Sequence, residues 1–444
     1  MRIRTSVVAT IGVALALSAC ASTSDGGGAS TSGSPSASTT EAVALSWRTR
    51  PDNKAEADVY ASVSKTITEK GVGLKLTYQA GNSEGSPYQD KLKTELAAGT
   101  APDVFWIPGT DVADFAKAGL ILNFADQAKA QELNKADFYD GPIASLAVDP
   151  ATGQPAENFL WGIPRDVSTF ALYLNLDLLD KSGAEDPREL AKNGKWTWEK
   201  FAEVAQKMTE KGGAGVKGFG AGGWWANWGY FVNSGGGSFF NADRTACNLD
   251  SAGSIAGLTF FKSIYDKGYA VKFGEDAEPP FKSGKVGMFL NGRWATPGTR
   301  EIKDFGWDVV AAPSGPAPGK GWQFWGAYVV NAKTANPEAA VKLVKELTSA
   351  EVQNKIASLG ANIPSRKGDD VISSFLKFTP PTNNQAFVDG ITNNPVPEGP
   401  LWKGNWPEFD KISGDSVTAV MSGKKTIAEF ASTICKDTAV AFKG

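Results

Sequence analysis

Not one of the 444 residues is a histidine. That removes the commonest general base, the usual zinc ligand and any His-activated Ser or Cys nucleophile. Cysteine is nearly as scarce. Cys20, Cys247 and Cys435 are the three present, and with no closely spaced pair among them redox catalysis is not expected. An excess of either charge is missing too: 45 Lys and Arg face 48 Asp and Glu, in no long run of one sign. A nucleic-acid surface is therefore excluded, and a polyanionic ligand is not expected. No repeat of solenoid length is visible. These absences leave no catalytic residue, metal or cofactor to assign, and they turn attention to binding.

Arg2 and Arg4 precede an uncharged apolar run from Val7 to Leu17 that is too short to remain in a bilayer as a spanning helix. Residues 1–19 read as a signal peptide. Leu17-Ser18-Ala19-Cys20 resembles the cleavage box of bacterial lipoproteins, in which the cysteine becomes the lipid-modified first residue. Residues 20–41 then form the lipidated Cys20 and a Ser, Thr, Gly and Ala tether that cannot bury enough apolar surface to fold. As a flexible coil it reaches roughly 25 Å. With Cys20 lipidated, Cys247 and Cys435 remain, and in an exported chain a disulfide is favoured over two free thiols. The remaining chain from Ala42, roughly 400 residues, exceeds the size at which one core keeps growing, so two lobes are expected.

Helix and strand signals alternate along this body. In GSPYQDKLKTELAAGTAPDVFWI, Ser86 is placed to cap a helix with Pro87 at its first position and Gln89 in a capping box. Tyr88, Leu92 and Leu96 make one face, Gly99 stops the helix, and DVFWI follows as a buried strand. Phe170 to Leu174 is another apolar strand. Thr197 caps the next helix, whose stripe is Phe201, Val204, Ala205 and Met208 and whose end is Gly212. Such alternation argues for α/β layers. APSGPAPGKG at 312–321 and PVPEGP at 395–400 read as loops.

Four stretches in this order resemble the extracellular solute-binding proteins of bacterial ABC importers, in the carbohydrate branch that includes maltose-binding protein. They are YQDKLKTELAAGTAPDVFW, IPRDVSTFALYLN leading to TWEKFAEVAQKMT, FKSGKVGMFLNGRW, and the long segment from AYVVNAKTANPEAA to GANIPSRK. The resemblance implies a two-lobed periplasmic-binding-protein-like α/β fold of type II with ligand held in the cleft between lobes. Carried over by position, chain crossovers fall near Val167 to Phe170, Phe324 to Ala327 and Ala361 to Arg366. Lobe one then comprises 42–167 plus 327–363, and lobe two 168–326 plus 364–444. Cys247 and Cys435 both land in lobe two, compatible with a bridge to its C-terminal helix.

A neutral sugar offers apolar C–H faces ringed by hydroxyls, which suit flat aromatic side chains and polar groups respectively. The chain contains 14 tryptophans. GGWWANWGYF, at 222–231, crowds Trp224, Trp225 and Trp228 among Gly222, Gly223 and Gly229. Glycine lets backbone pass close to a ligand, so these three indoles are expected to face the cleft. The resemblance puts Trp294 of FLNGRW at the family's sugar-stacking position and Trp106 and Asp111 among the first lobe's contacts. Arg165, Asp166 and Ser168 line the first crossover, while Trp322 and Trp325 border the second. Trp47 and Arg48 follow the first strand, where loops of an open α/β sheet face the crevice. Arg366 lies near the third crossover. Trp402 and Trp406 are secondary candidates that a surface loop explains equally well.

The resemblance implies a monomeric receptor, anchored through its lipid to the outer face of the cytoplasmic membrane. It would capture an oligosaccharide, first guess an α-linked gluco-oligosaccharide, and pass it by cleft closure to the transmembrane permease subunits of an ABC transporter. It would be no enzyme. The alternative is an exported glycoside hydrolase with a carboxylate pair, which would betray itself by new reducing ends.

Overall fold

The computed structural model describes residues 41–443 apart from 52–53, 82–85, 319, 359, 361 and 394. The expected leader, the lipidated Cys20, the tether up to residue 40 and Ala361 of the third crossover lie outside the described residues. Among the described residues no helix is long and apolar enough to cross a membrane.

Strands β1 (Val43–Thr49), β2 (Leu74–Ala80) and β3 (Val104–Pro108) pair in parallel, joined by helices α1 (Lys54–Glu69) and α2 (Ser86–Ala98). Tyr88, Leu92 and Leu96 are buried as their spacing predicts. The helix begins at Ser86 itself rather than after it, and Gly99 follows at φ 72°, a left-handed geometry that halts a helix at little cost only in glycine. Further along come β4 (Ile163–Ser168), β5 (Phe170–Asn175), β6 (Lys217–Gly220), β7 (Val286–Gly292), β8 (Trp307–Ala311), β9 (Trp322–Val330), β10 (Ile363–Pro364) and β11 (Val396–Pro397). One sheet runs β10-β4-β9-β3-β1-β2, with β11 beside the start of β9; a second runs β8-β5-β7-β6.

The chain passes between the sheets at Thr169, the single residue separating β4 from β5. Alternation on β5 shows why that strand reads as continuously apolar. Phe170, Leu172 and Leu174 enter one core while Ala171 and Tyr173 enter the other, so neither face meets water.

Helix α3 (Trp198–Gly212) covers the second sheet. Thr197 caps it by accepting the Lys200 N–H, the stripe Phe201, Val204, Ala205 and Met208 is buried, and Gly213 closes it. Each large side chain so buried contributes about 1.5–3 kcal/mol relative to exposure. Helices α4 (Trp225–Ser234) and α5 (Ala252–Asp266) pack together beside it. Later come α6 (Pro337–Leu347), α7 (Asp369–Leu376), α8 (Gln385–Thr392), α9 (Trp406–Met421) and α10 (Ile427–Asp437). A disulfide joins Cys247, ahead of α5, to Cys435 on α10 across 188 residues of sequence.

Candidate functional site

Strand ends from both sheets meet at one cleft of about 720 Å³. The residue after β1 (Arg50), the turn after β3 (Thr110, Asp111), the end of β4 (Arg165 to Ser168) and the turn after β7 (Arg293, Trp294) all line it. This is where α/β sheets usually receive ligands, and the volume suits a small molecule of several rings.

Aromatic rings form part of its wall. Trp224 sits at the N-cap of α4 in extended backbone conformation and remains 42% exposed, an unusual state for an indole in a folded chain. Its ring lies 5.4 Å from that of Phe324, stacked, and 6.0 Å from Trp294. Trp294 meets Phe324 edge-on at 5.3 Å. Its ring lies so close over Gly292 that a Cβ there would come within 2.3 Å of it, which explains the glycine two positions earlier in NGRW. Trp225, itself buried, touches both Trp224 and Trp406.

Polar groups from β3, β4 and the loop after β11 supply the rest. Arg165 pairs with Asp166 at 2.6 Å and donates to Thr49. Burial disfavours its charge, but Asp166, Tyr60 and Glu56 together more than offset this and hold its pKa well above the usual value. Trp106 is 5% exposed, with the guanidinium of Arg50 at 4.7 Å and that of Arg165 at 5.0 Å from its ring. A Cβ at Gly326 would strike that indole, so its place depends on glycine. Trp325 is largely buried and donates its indole N–H to the Glu398 carbonyl, while the Glu398 carboxylate accepts its backbone N–H. Burial pushes Glu398 up to about 8, partly countered by that N–H and reinforced by Asp111. Asp111 is raised to about 6 by burial, which the Lys93 charge moderates, and Asp410 to about 6 by burial.

The structure therefore brings Trp106, Asp111, Arg165, Asp166, Ser168, Trp224, Trp225, Trp294 and Trp325 to one cleft. It places five other candidates elsewhere. Trp47 is fully buried among Tyr60, Tyr78 and Tyr328 and donates to Ser64. Arg48 is locked to Glu95 and Gln79. Trp228 stacks on Phe239 at 4.7 Å inside the core. Trp322 donates to the Ala226 carbonyl. Arg366 pairs with Asp137 over the Phe138 ring. Trp47, Arg48, Trp322 and Arg366 thus find polar partners within the fold, while Trp228 is packed in the core with its indole N–H unpartnered. The glycines of the tryptophan stretch also differ from expectation: a Cβ at Gly229 would meet Phe239 at 2.6 Å and one at Gly223 would meet Gly274 at 3.0 Å, so they permit packing rather than ligand approach.

Of the two secondary candidates, Trp406 lines the cleft at the start of α9, and Trp402 lies outside it beside Trp161. Arg50, Phe324, Glu398 and Asp410 were not singled out by the sequence. Asp410 is one helical turn beyond Trp406, a spacing that could have found it. Glu398 had no such signal, since PVPEGP carries only turn residues.

The family model of bacterial extracellular solute-binding proteins matches residues 53–354, more than half of the chain. The chain belongs to this family. This solute-binding protein is similar to a maltotriose-binding protein of Pyrococcus abyssi, 25% identical over 74% of this chain and 69% of that one. Among solved structures it is similar to an ABC substrate-binding protein of Listeria monocytogenes in complex with cycloalternan. That likeness has TM-score 0.77 at 19% identity and covers 90% of this chain and 98% of the other. A cyclic alpha-maltosyl-1,6-maltose binding protein of Arthrobacter globiformis gives TM-score 0.72 at 13% identity, covering 90% and 99%. The two-lobed α/β class is thereby shown, and the family is one of extracellular binders rather than enzymes.

Proposed function

We propose that this solute-binding protein captures an oligosaccharide, with an α-linked gluco-oligosaccharide as first candidate, and delivers it to the permease of an ABC importer. The observation that carries this reading is the junction of exposed Trp224, half-buried Trp294 and the buried Phe324 behind them with the polar set Asp111, Ser168 and Glu398 around one cavity. Rings of the first set suit sugar C–H faces, and groups of the second suit hydroxyls. The relatives and neighbours named for maltotriose, cycloalternan and cyclic maltosyl-maltose favour α-linked glucose units.

Lobes 42–167 plus 327–363 and 168–326 plus 364–444 would close on the ligand, since only a ligand with greater affinity for the closed form shifts that equilibrium. A lipid on Cys20 would hold the monomeric receptor at the membrane face beside its permease. Calorimetry with maltose, maltotriose and maltotetraose, run beside cello-oligosaccharides, tests the ligand: saturable binding that favours the α-linked series and generates no reducing ends is expected. Absence of binding across both series defeats it.

A further inference from the structure

Few of the charged groups around the cleft are ion-paired, Arg165 with Asp166 being the pair among its lining residues. Arg165 is paired with Asp166, Arg50 lies over the Trp106 ring, and the guanidinium of Arg293, 1% exposed and with none of its three nitrogens hydrogen-bonded, packs 4.9 Å from Phe375 and 5.5 Å from Phe387. Exposed Lys93 stands 5.7 Å from the Phe115 ring. Three of the cleft's carboxyl groups also lack an ion pair, Asp111 having the Thr110 hydroxyl as a donor and the Lys93 charge at longer range. Among the described residues no cation comes within 4.0 Å of Glu398 or Asp410, and Asp111 likewise has no ion pair. Glu398 is 7% exposed and receives a single backbone N–H at 3.3 Å.

A buried carboxylate without a counterion is costly, and a chain that only needed to bind hydroxyls could use Asn or Gln in its place. The aromatic part of the wall makes the same demand in another form. Indole faces attract cations as well as C–H groups, so Trp224, Trp294 and the carboxyls favour one kind of guest together.

We propose that the cleft is specific for a saccharide bearing a protonated amine, with the nitrogen held by the Glu398 and Asp111 carboxylates and Asp410 contributing at the rim. This rests on the sugar-receptor reading and narrows it. Binding a cationic nitrogen restores ionisation to groups that burial keeps partly protonated, and it disfavours neutral sugars, which still bind but leave those carboxyls unpaired.

The test is calorimetry at pH 6.5 in low salt with two matched pairs that differ in amine for hydroxyl, at one position in the first pair and at the 2-position of every residue in the second. One pair is maltotriose and 6-amino-6-deoxymaltotriose; the other is cellotetraose and the fully deacetylated glucosamine tetramer. In at least one pair the amine is expected to bind ten-fold or more tightly. That preference should shrink several-fold in 0.5 M salt and again in Glu398→Gln, whose amide still accepts the Trp325 N–H. Equal or tighter binding of the neutral member overturns the amine proposal while leaving the sugar receptor intact. No binding in either pair overturns both. An amine preference unchanged in Glu398→Gln, Asp111→Asn and Asp410→Asn together overturns the assignment of these carboxyls.

Discussion

Trp224 and Trp228 stand four residues apart in the same stretch and meet opposite fates, one 42% exposed on the cleft and the other 1% exposed against Phe239. On a continuous helix they would share a face. Trp224 instead is the N-cap, its backbone extended, so its side chain leaves the helix direction before the first turn forms. A tryptophan reaches ligand here because of where a helix starts, and glycine density says nothing about it. The contrast can be broken from either side.

The largest effect is expected at the buried ring. Trp228→Ala opens a cavity beside Phe239 and should remove about 3–5 kcal/mol of stability. The fraction that stays folded should keep wild-type affinity, as titration below the lowered melting temperature would show. Cys247→Ser comes next, because the disulfide anchors α10 to the loop in which Phe240 pairs with Cys247 and packs beside Phe239. Removing that cross-link should cost about 2–4 kcal/mol, read by urea unfolding with and without reductant; reductant should shift wild type and leave the variant alone.

Trp294→Ala is the converse experiment. If the ring lends roughly 80–100 Å² of apolar stacking surface to ligand, its loss removes about 2 kcal/mol of binding, a decrease in affinity of about thirty-fold. Stability should change by less than about 1 kcal/mol, since one side of the ring faces the open cleft. A variant that unfolds while binding normally would show that Trp294 belongs with Trp228.

The α/β alternation, the stripe on α3, its Thr197 cap and the buried face of α2 were all legible, because periodicity and capping are local physics. The cleft was legible where a motif fixed its backbone: Trp294 follows the glycine that accommodates its ring, and Arg165 to Ser168 occupy the end of β4. Trp47 and Trp322 looked equally suitable as sugar platforms, yet their indole N–H groups find Ser64 and the Ala226 carbonyl. Those partners come from distant sequence, so no local pattern distinguishes a satisfied indole from a waiting one. Glu398 was hidden for the same reason, reaching the cleft only because β11 pairs with β9.

The difference between satisfied and waiting groups extends from rings to charges, and pH reads it. A glutamate in the unfolded chain titrates near ~4.3, whereas Glu398 in the fold is raised to about 8, chiefly by burial. Between those values the folded protein retains a proton that the unfolded chain has released. The contribution to stability is thus complete below the lower value, declines as pH rises through the interval and levels off above about 8. Asp111 and Asp410, both raised to about 6, act with the same sign over a narrower range. Glu398→Gln removes the largest of these proton-linked losses and retains the acceptor for Trp325. Between pH 5 and 8.5 the stability of wild type should fall by on the order of 1–2 kcal/mol more than that of the variant, after water entering the cleft has relieved part of the burial cost. Parallel curves would mean that Glu398 is already ionised in the empty cleft, and that its carboxylate is satisfied as fully as the buried indoles are.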